Sequence, residues 1–197
     1  MKIEGRALCL GPDIDTDVII AGRYLRTKDR SEWARHAFED LDPSLAQRLE
    51  GTVIIAGKNF GCGSSREQAA IALKEAGVRG VIAPSFARIF FRNAINIGLP
   101  VIECECTCSD NEAVSADPGT GAVTIGTHTY HTRPLSPRML EILSAGGLVA
   151  YWRGRRWGMR QRAHAGRRCI SSPVTSSTRR EKARNCWRSS PKRKKAA

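Results

Sequence analysis

Apolar residues run unbroken through some short stretches of this chain and recur every third or fourth position in others. "TVIIAG" (52–57) and "VRGVIAP" (78–84) are continuous apolar runs, the mark of strands covered on both faces. Between them, "SREQAAIALKEAG" sets Ala69, Leu73 and Ala76 at helical spacing and supplies Gly77 as a stop. "SFARIFFRNAINIG", closed by Gly98, repeats the helical rhythm, and "LPVIECEC" returns to a strand. This alternation predicts βαβ units and a sheet buried on both sides. "GRALCLG" near the start reads as another strand, and "PDIDTD" as the turn after it.

The flanking segments are less regular. "DRSEWARHAFEDL" predicts a helix with Trp33, Ala37 and Leu41 on one face, opened by an Asp29–Glu32 capping box. "DPSLAQRLEG" predicts a short helix with Pro43 at its first position and Gly51 at its end. "GAVTIGTHTYHTR" alternates like half-exposed strands, and "SPRMLEILSAGG" is a last helix capped by Ser136 with Pro137 behind it. The expected fold class is α/β: a mixed sheet with central parallel strands and flanking helices.

Charge divides the chain. Its net charge of +13 over 197 residues points to a nucleic-acid binder until it is located. Residues 153–197 carry 16 Lys and Arg against Glu181 alone, which leaves residues 1–152 at −2. The expected organisation is one near-neutral domain, 1–152, and a basic tail, 153–197, without the apolar periodicity to fold alone. The tail admits two readings: a nucleic-acid arm acting through Arg, Lys, Trp157 and Trp187, or an extension without function. "MKIEGRALCL" is too polar for a signal peptide, and no run approaches the roughly 18 apolar residues of a membrane span. Seven cysteines in a chain unlike a disulfide scaffold point to a reducing cytoplasm.

Chemistry concentrates in "GKNFGCGSSREQAA" (57–70), ahead of a predicted helix. A helix N-terminus offers unpaired N–H groups and partial positive charge, both attractive to anions. Gly61 and Gly63 allow close backbone approach, Ser64 and Ser65 add hydroxyls, and Arg66 adds a fork matched to a carboxylate. The stretch reads as a carboxylate or phosphate cradle; the alternative is a glycine-rich turn in which Ser64 or Ser65 caps the helix. A dinucleotide fingerprint needs glycine where Arg66 stands, and neither a P-loop nor a nucleophile elbow matches. A Cys62 nucleophile would need one of His36, His128 or His131 beside it. "DIDTD" lacks the central glycine and later glutamate of a calcium loop. In "ECECTCS", Cys104, Cys106 and Cys108 would share one strand face about 6.6 Å apart, which suits buried or edge thiols better than a metal site.

"GPDIDTDVIIAGRYL" and "GKNFGCGSSREQAAIALKEAGVRGVIAPSFARIFFRNAINIGLPVI" together resemble the aconitase swivel-domain family, and within it the small subunits of 3-isopropylmalate dehydratase. The resemblance covers nearly all of residues 1–152. It implies a three-layer β/β/α fold and a cytoplasmic hydro-lyase active only with a large subunit. That partner would carry a [4Fe–4S] cluster whose open iron takes the leaving hydroxyl, so this chain binds no cofactor and no metal itself. By position, Ser64 matches the serine that removes the substrate proton, and Ser65 and Arg66 match carboxylate ligands. Asp15, Thr16 and Asp17 fall at the cleft. In "YLRT", Arg26 and Thr27 fall where the family meets the variable part of the substrate, and Arg88 and Asn93 also match family positions. The implied reaction interconverts 2- and 3-isopropylmalate in leucine biosynthesis. Because an arginine at position 26 suits an extra carboxylate, a homoaconitase-type tricarboxylate enzyme is the alternative.

Overall fold

The unbroken apolar runs become neighbouring parallel strands. The structure, a computed structural model, describes residues 1–155. Strands β1 (Ile3–Cys9), β2 (Thr52–Ile55), β3 (Gly80–Ala83) and β4 (Val101–Glu103) pair in parallel, and β5 (Ala113–Asp117), β6 (Ala122–Ile125) and β7 (His128–His131) continue the sheet antiparallel, in the order β4-β3-β2-β1-β5-β6-β7.

Alternation along the parallel strands explains why they look apolar throughout. Leu8, Ile54, Val81, Ala83 and Val101 point into one core, which they share with the helices. Ile3, Ala7, Val53, Ile55, Ile82 and Ile102 point into a second core, closed by Val114 and Ala116 of β5 and Val123 and Ile125 of β6. The antiparallel half thus covers the face that the helices leave bare, giving a helix layer and two sheet layers. The curl brings the two ends of the sheet together: Thr132 beyond β7 donates its hydroxyl to the Glu103 carbonyl at the end of β4. Thr107 and Tyr130 are hydrogen-bonded at 3.1 Å nearby.

Helices α4 (Glu67–Glu75) and α5 (Arg88–Ile97) connect β2 to β3 and β3 to β4. Gly77 and Gly98 turn the chain at their ends with φ of 85° at both. α1 (Thr16–Ile19), α2 (Arg30–Arg35), α3 (Leu45–Arg48) and α6 (Pro137–Ser144) complete the helical layer. Ser136 caps α6, as expected, by accepting from the Met139 N–H.

Four expectations need correction. The helix from Asp29 stops at Arg35, because Phe38 adopts φ 61° and turns inward to full burial, leaving Leu41 on the surface. Asp29 does cap it, accepting from the Ser31 N–H at 2.9 Å, but Glu32 turns to His36 and Arg35 and no reciprocal box forms. The sequence pattern predicts no strand over Ala113–Asp117, where β5 forms. Finally, β4 ends at Glu103, so the three alternating cysteines lie beyond it rather than along a strand face. Cys104 is buried and Cys106 half-buried as free thiols, whereas Cys108 is joined to Cys9 by a disulfide.

A seventh helix, α7, spans 148–155 and runs through the expected boundary after Trp152. Its Tyr151 donates to Glu141 at 2.9 Å and is approached by the Arg138 and Arg155 guanidinium groups. The nucleic-acid reading of the basic tail falls, beyond residue 155, outside the described residues. Among the described residues no helix is long and apolar enough to cross a membrane.

Candidate active site

Three loops leave the C-terminal ends of β1, β2 and β3 and are laced together by their backbones. Asp13 N–H donates to the Lys58 carbonyl at 2.9 Å, Gly61 N–H to Ile14 at 2.8 Å, and Thr16 N–H to Cys62 at 2.9 Å. On the other side, Phe60 N–H donates to Ser85 at 3.0 Å and Ala87 N–H to Phe60 at 2.9 Å. Loops beyond the carboxyl ends of parallel strands are where α/β sheets habitually bind ligands.

Two glycines make this lacing possible. Gly61 has φ 78° and lies against the Phe90 ring, and Gly63 has φ 82° with the Asp15 carboxylate in the space a side chain would fill. Any other residue would meet both the wrong backbone region and an occupied volume. Asp15 in turn caps α1, accepting from the Asp17 N–H at 2.8 Å.

Within this frame, "DIDTD" and "GCGSSR" come together. Thr16 is only 1% exposed, and its hydroxyl donates to the Ser64 carbonyl at 2.9 Å. The serine backbone is therefore held from below while the Ser64 and Ser65 side chains stay exposed. Arg66 is the N-cap of α4 and makes no capping side-chain bond, so neither serine is spent on the cap. That removes the reading of this stretch as a capped turn: the first N–H groups of α4 lack side-chain partners and both hydroxyls are open. The Arg66 guanidinium pairs with Asp17 and donates to the Ile20 carbonyl at 3.3 Å.

Arg26 and Thr27 enter from one side. The 3-10 turn Gly22–Arg26 begins beside Arg66, since a Cβ on Gly22 would lie 3.6 Å from its Nη1. Arg26 is exposed and has no hydrogen-bond or ion-pair partner among the described residues, while Thr27 Oγ1 accepts from the Asp29 N–H at 3.1 Å. Both line a depression of about 360 Å³ with Arg23, Tyr24, Asp29 and Glu32. Arg88 is exposed at the first position of α5, on the same edge of the sheet, and Asn93 is half-buried within that helix.

A Cys62 nucleophile finds no support. Its thiol points to the Asp13 carbonyl at 3.5 Å, and burial, helped by Asp15 and Asp13, raises its pKa. His36 is held elsewhere by Glu32 and Glu39, and His128 and His131 lie on β7 at the far end of the strand order. Among the described residues no group of three or more His, Cys, Asp or Glu is arranged to hold a metal ion, and the sulfur of Cys108 is committed to Cys9. Among the described residues no set of side chains is arranged to hold an iron–sulfur cluster.

Sequence reasoning missed Asn59 and Ser85, which tie the loops: Asn59, at φ 62°, donates its side-chain amide to Asp13 at 2.9 Å and its backbone N–H to Ser85 Oγ at 2.9 Å. An asparagine followed shortly by glycine was the only available hint.

Comparison with known proteins bears directly on this arrangement. Residues 12–105 match the model of the aconitase C-terminal domain. The 3-isopropylmalate dehydratase small subunit of Moorella thermoacetica is 52% identical over 157 residues, covering 77% of this chain and 95% of that protein. A methanogen homoaconitase small subunit from Methanothermobacter thermautotrophicus is 51% identical over 154 residues, covering 76% and 90%. The crystal structure of a 3-isopropylmalate dehydratase from Methanocaldococcus jannaschii superposes with a TM-score of 0.78 at 45% identity, over 82% of this chain and 99% of that one.

Proposed function

The chain belongs to the family of 3-isopropylmalate dehydratase small subunits, and from that premise we propose how its residues divide the work of a hydro-lyase. It acts with a large subunit to interconvert 2- and 3-isopropylmalate by loss and return of water, a step of leucine biosynthesis.

Loss of water breaks a C–H bond beside a carboxylate and the C–O bond on the neighbouring carbon, and the freed electron pair forms the double bond. Ser64 Oγ accepts the proton as an alkoxide and returns it when water adds back at the other carbon. A serine alkoxide is accessible only beside positive charge, and Arg66 with the first turn of α4 supplies it. The same groups stabilise the charge that builds on the substrate carboxylate as the proton leaves. Ser65 and Arg66 hold that carboxylate, with Asp17 orienting the Arg66 fork and Asp15 and Thr16 fixing the loop beneath. A [4Fe–4S] cluster on the large subunit, when bound, supplies the Lewis acid for the departing hydroxyl. We assign no part in the reaction to residues 153–197.

The observation that carries this reading is the pair of open serine hydroxyls between an uncapped helix N-terminus and an oriented arginine. Ser64→Ala, assembled with a cluster-loaded large subunit, should lose about 10³-fold in kcat or more while still assembling. Turnover at the wild-type rate would remove Ser64 from the chemistry.

Arg26 favours a second reading of the substrate. A guanidinium turned toward an isopropyl group would lose solvation without a partner, at about 1–3 kcal/mol. The unpaired state of Arg26 and the likeness to a homoaconitase small subunit support a tricarboxylate whose extra carboxylate meets this residue. Comparing kcat/KM for 3-isopropylmalate and homoaconitate distinguishes the two.

A further inference from the structure

We propose that His36 is a positioning residue that sets substrate selectivity by holding the turn that carries Arg26. The proposal rests on the reading that Arg26 and Thr27 meet the variable part of the substrate.

The turn Gly22–Arg26 is anchored through Arg23 and Tyr24. The Tyr24 ring lies flat on the His36 imidazole, with centroids 4.0 Å apart and planes within 9°. The Tyr24 hydroxyl donates to Glu39, and its carbonyl accepts from Trp33 Nε1 at 3.1 Å. His36, which follows the last residue of α2, is itself fixed from both sides. Nδ1 lies 3.0 Å from Glu39 and Nε2 lies 3.1 Å from Glu32. The two carboxylates therefore clamp the imidazole edge to edge and fix the plane on which Tyr24 lies.

The surrounding charges close the arrangement. Arg23 spans Asp40 at 2.6 Å and Glu39 at 3.5 Å with its guanidinium over the Tyr24 ring, and Arg35 reaches Glu32 at 3.3 Å. Two guanidinium groups, Arg23 and Arg35, and the His36 ring thus meet three carboxylates, Glu32, Glu39 and Asp40. Glu32 and Tyr24 also form part of the depression that Arg26 and Thr27 line. The wall of the depression and the anchor of its turn are thus the same residues, and Arg26 follows Tyr24 by two positions. Removing the imidazole takes away the surface on which Tyr24 stacks and loosens Glu32 at the depression, whereas Ser64 and Arg66 stay pinned by Thr16 and Asp17.

The test uses the full chain assembled with its cluster-loaded large subunit, 3-isopropylmalate and homoaconitate as substrates, and four variants. His36→Ala should raise KM for the preferred acid about tenfold, with kcat within about twofold, and should change the kcat/KM ratio between the two acids. His36→Phe, which restores a ring under Tyr24 without the two ring nitrogens, should recover part of that change. Tyr24→Phe keeps the ring and loses only the bond to Glu39, so it replaces the His36 variants should they fail to fold, and should shift the ratio in the same direction. Arg26→Ala separates this inference from the reading beneath it. An unaltered ratio in Arg26→Ala overturns both. An altered ratio in Arg26→Ala, with the anchor variants merely yielding less active enzyme at unchanged KM and unchanged ratio, overturns the role of His36 alone.

Discussion

The Thr16 hydroxyl donates to the Ser64 carbonyl at 2.9 Å, joining residues 48 positions apart beneath the exposed serines. Because Thr16 is buried, no water can replace it, and without its hydroxyl the Ser64 carbonyl keeps only the Arg66 N–H at 2.8 Å. Thr16→Val has nearly the same shape without the hydroxyl. It should cost about 1–3 kcal/mol in unfolding free energy and lower kcat more than it raises KM, whereas Thr16→Ser should keep most of both. Urea unfolding with steady-state kinetics on all three proteins checks this. A valine variant with unchanged kcat would detach Thr16 from the serine.

Gly63 and Gly146 share the same backbone region, at φ 82° and 83°, but differ in what surrounds them. A side chain at Gly63 would collide with the Asp15 carboxylate, while one at Gly146 meets open space. Gly146→Ala should therefore cost only the left-handed backbone, about 1 kcal/mol, with activity retained. Gly63→Ala should abolish turnover by pushing Asp15 off the α1 cap. Equal effects from the two changes would show that the Asp15 contact is unimportant.

The Cys9–Cys108 bond closes a ring across 99 sequence positions. By the chain-entropy argument it stabilises the folded state by about 5 kcal/mol, equivalent to roughly 10–20 °C in Tm for a domain of this size. Reductant should lower the Tm of the wild type by about that amount and leave Cys9→Ser unaffected. The neighbouring Cys106 should not displace the bond, because burial has pushed its thiol up to about 12. Calorimetry with and without reductant, and peptide mapping under non-reducing conditions, test both statements.

Asp42, Asp110 and Asp117 accept backbone N–H bonds from Ser44, Cys9 and Gly119, and these hold their carboxyls below the ordinary value of 3.8. A carboxyl depressed in the folded state binds protons more readily when unfolded. Its contribution is therefore complete above about pH 4 and is lost as pH falls below that. Urea midpoints measured from neutrality downward should stay level and then drop, and Asp110→Asn should flatten the drop. A drop beginning near pH 6 would point to histidine instead.

The sequence made the parallel half of the sheet readable because β1 to β4 are covered on both faces, which leaves an unmistakable apolar run. It hid β5, whose "AVSAD" presents only Val114 and Ala116 to the core and borrows its order from Ile3 and Gly5 of β1. The extent of α2 was likewise not local information: the helix ends where burial of Phe38 outweighs another turn. The residues of the candidate site, Gly61 to Arg66, were visible because they stand together in sequence. The support under Arg26 was not, because Tyr24 and His36 are 12 positions apart and meet only through the fold. The pairing of Cys9 with Cys108 escaped for the same reason.

The contact between Thr132 and Glu103 has a consequence for how copies of this protein treat one another. An open seven-stranded sheet would carry two free rims, each a template on which another chain could add a strand and start aggregation. Here the Thr132 hydroxyl occupies the Glu103 carbonyl at the end of β4, so the two rims begin to cover one another. One carbonyl of that template is thereby taken from any incoming strand.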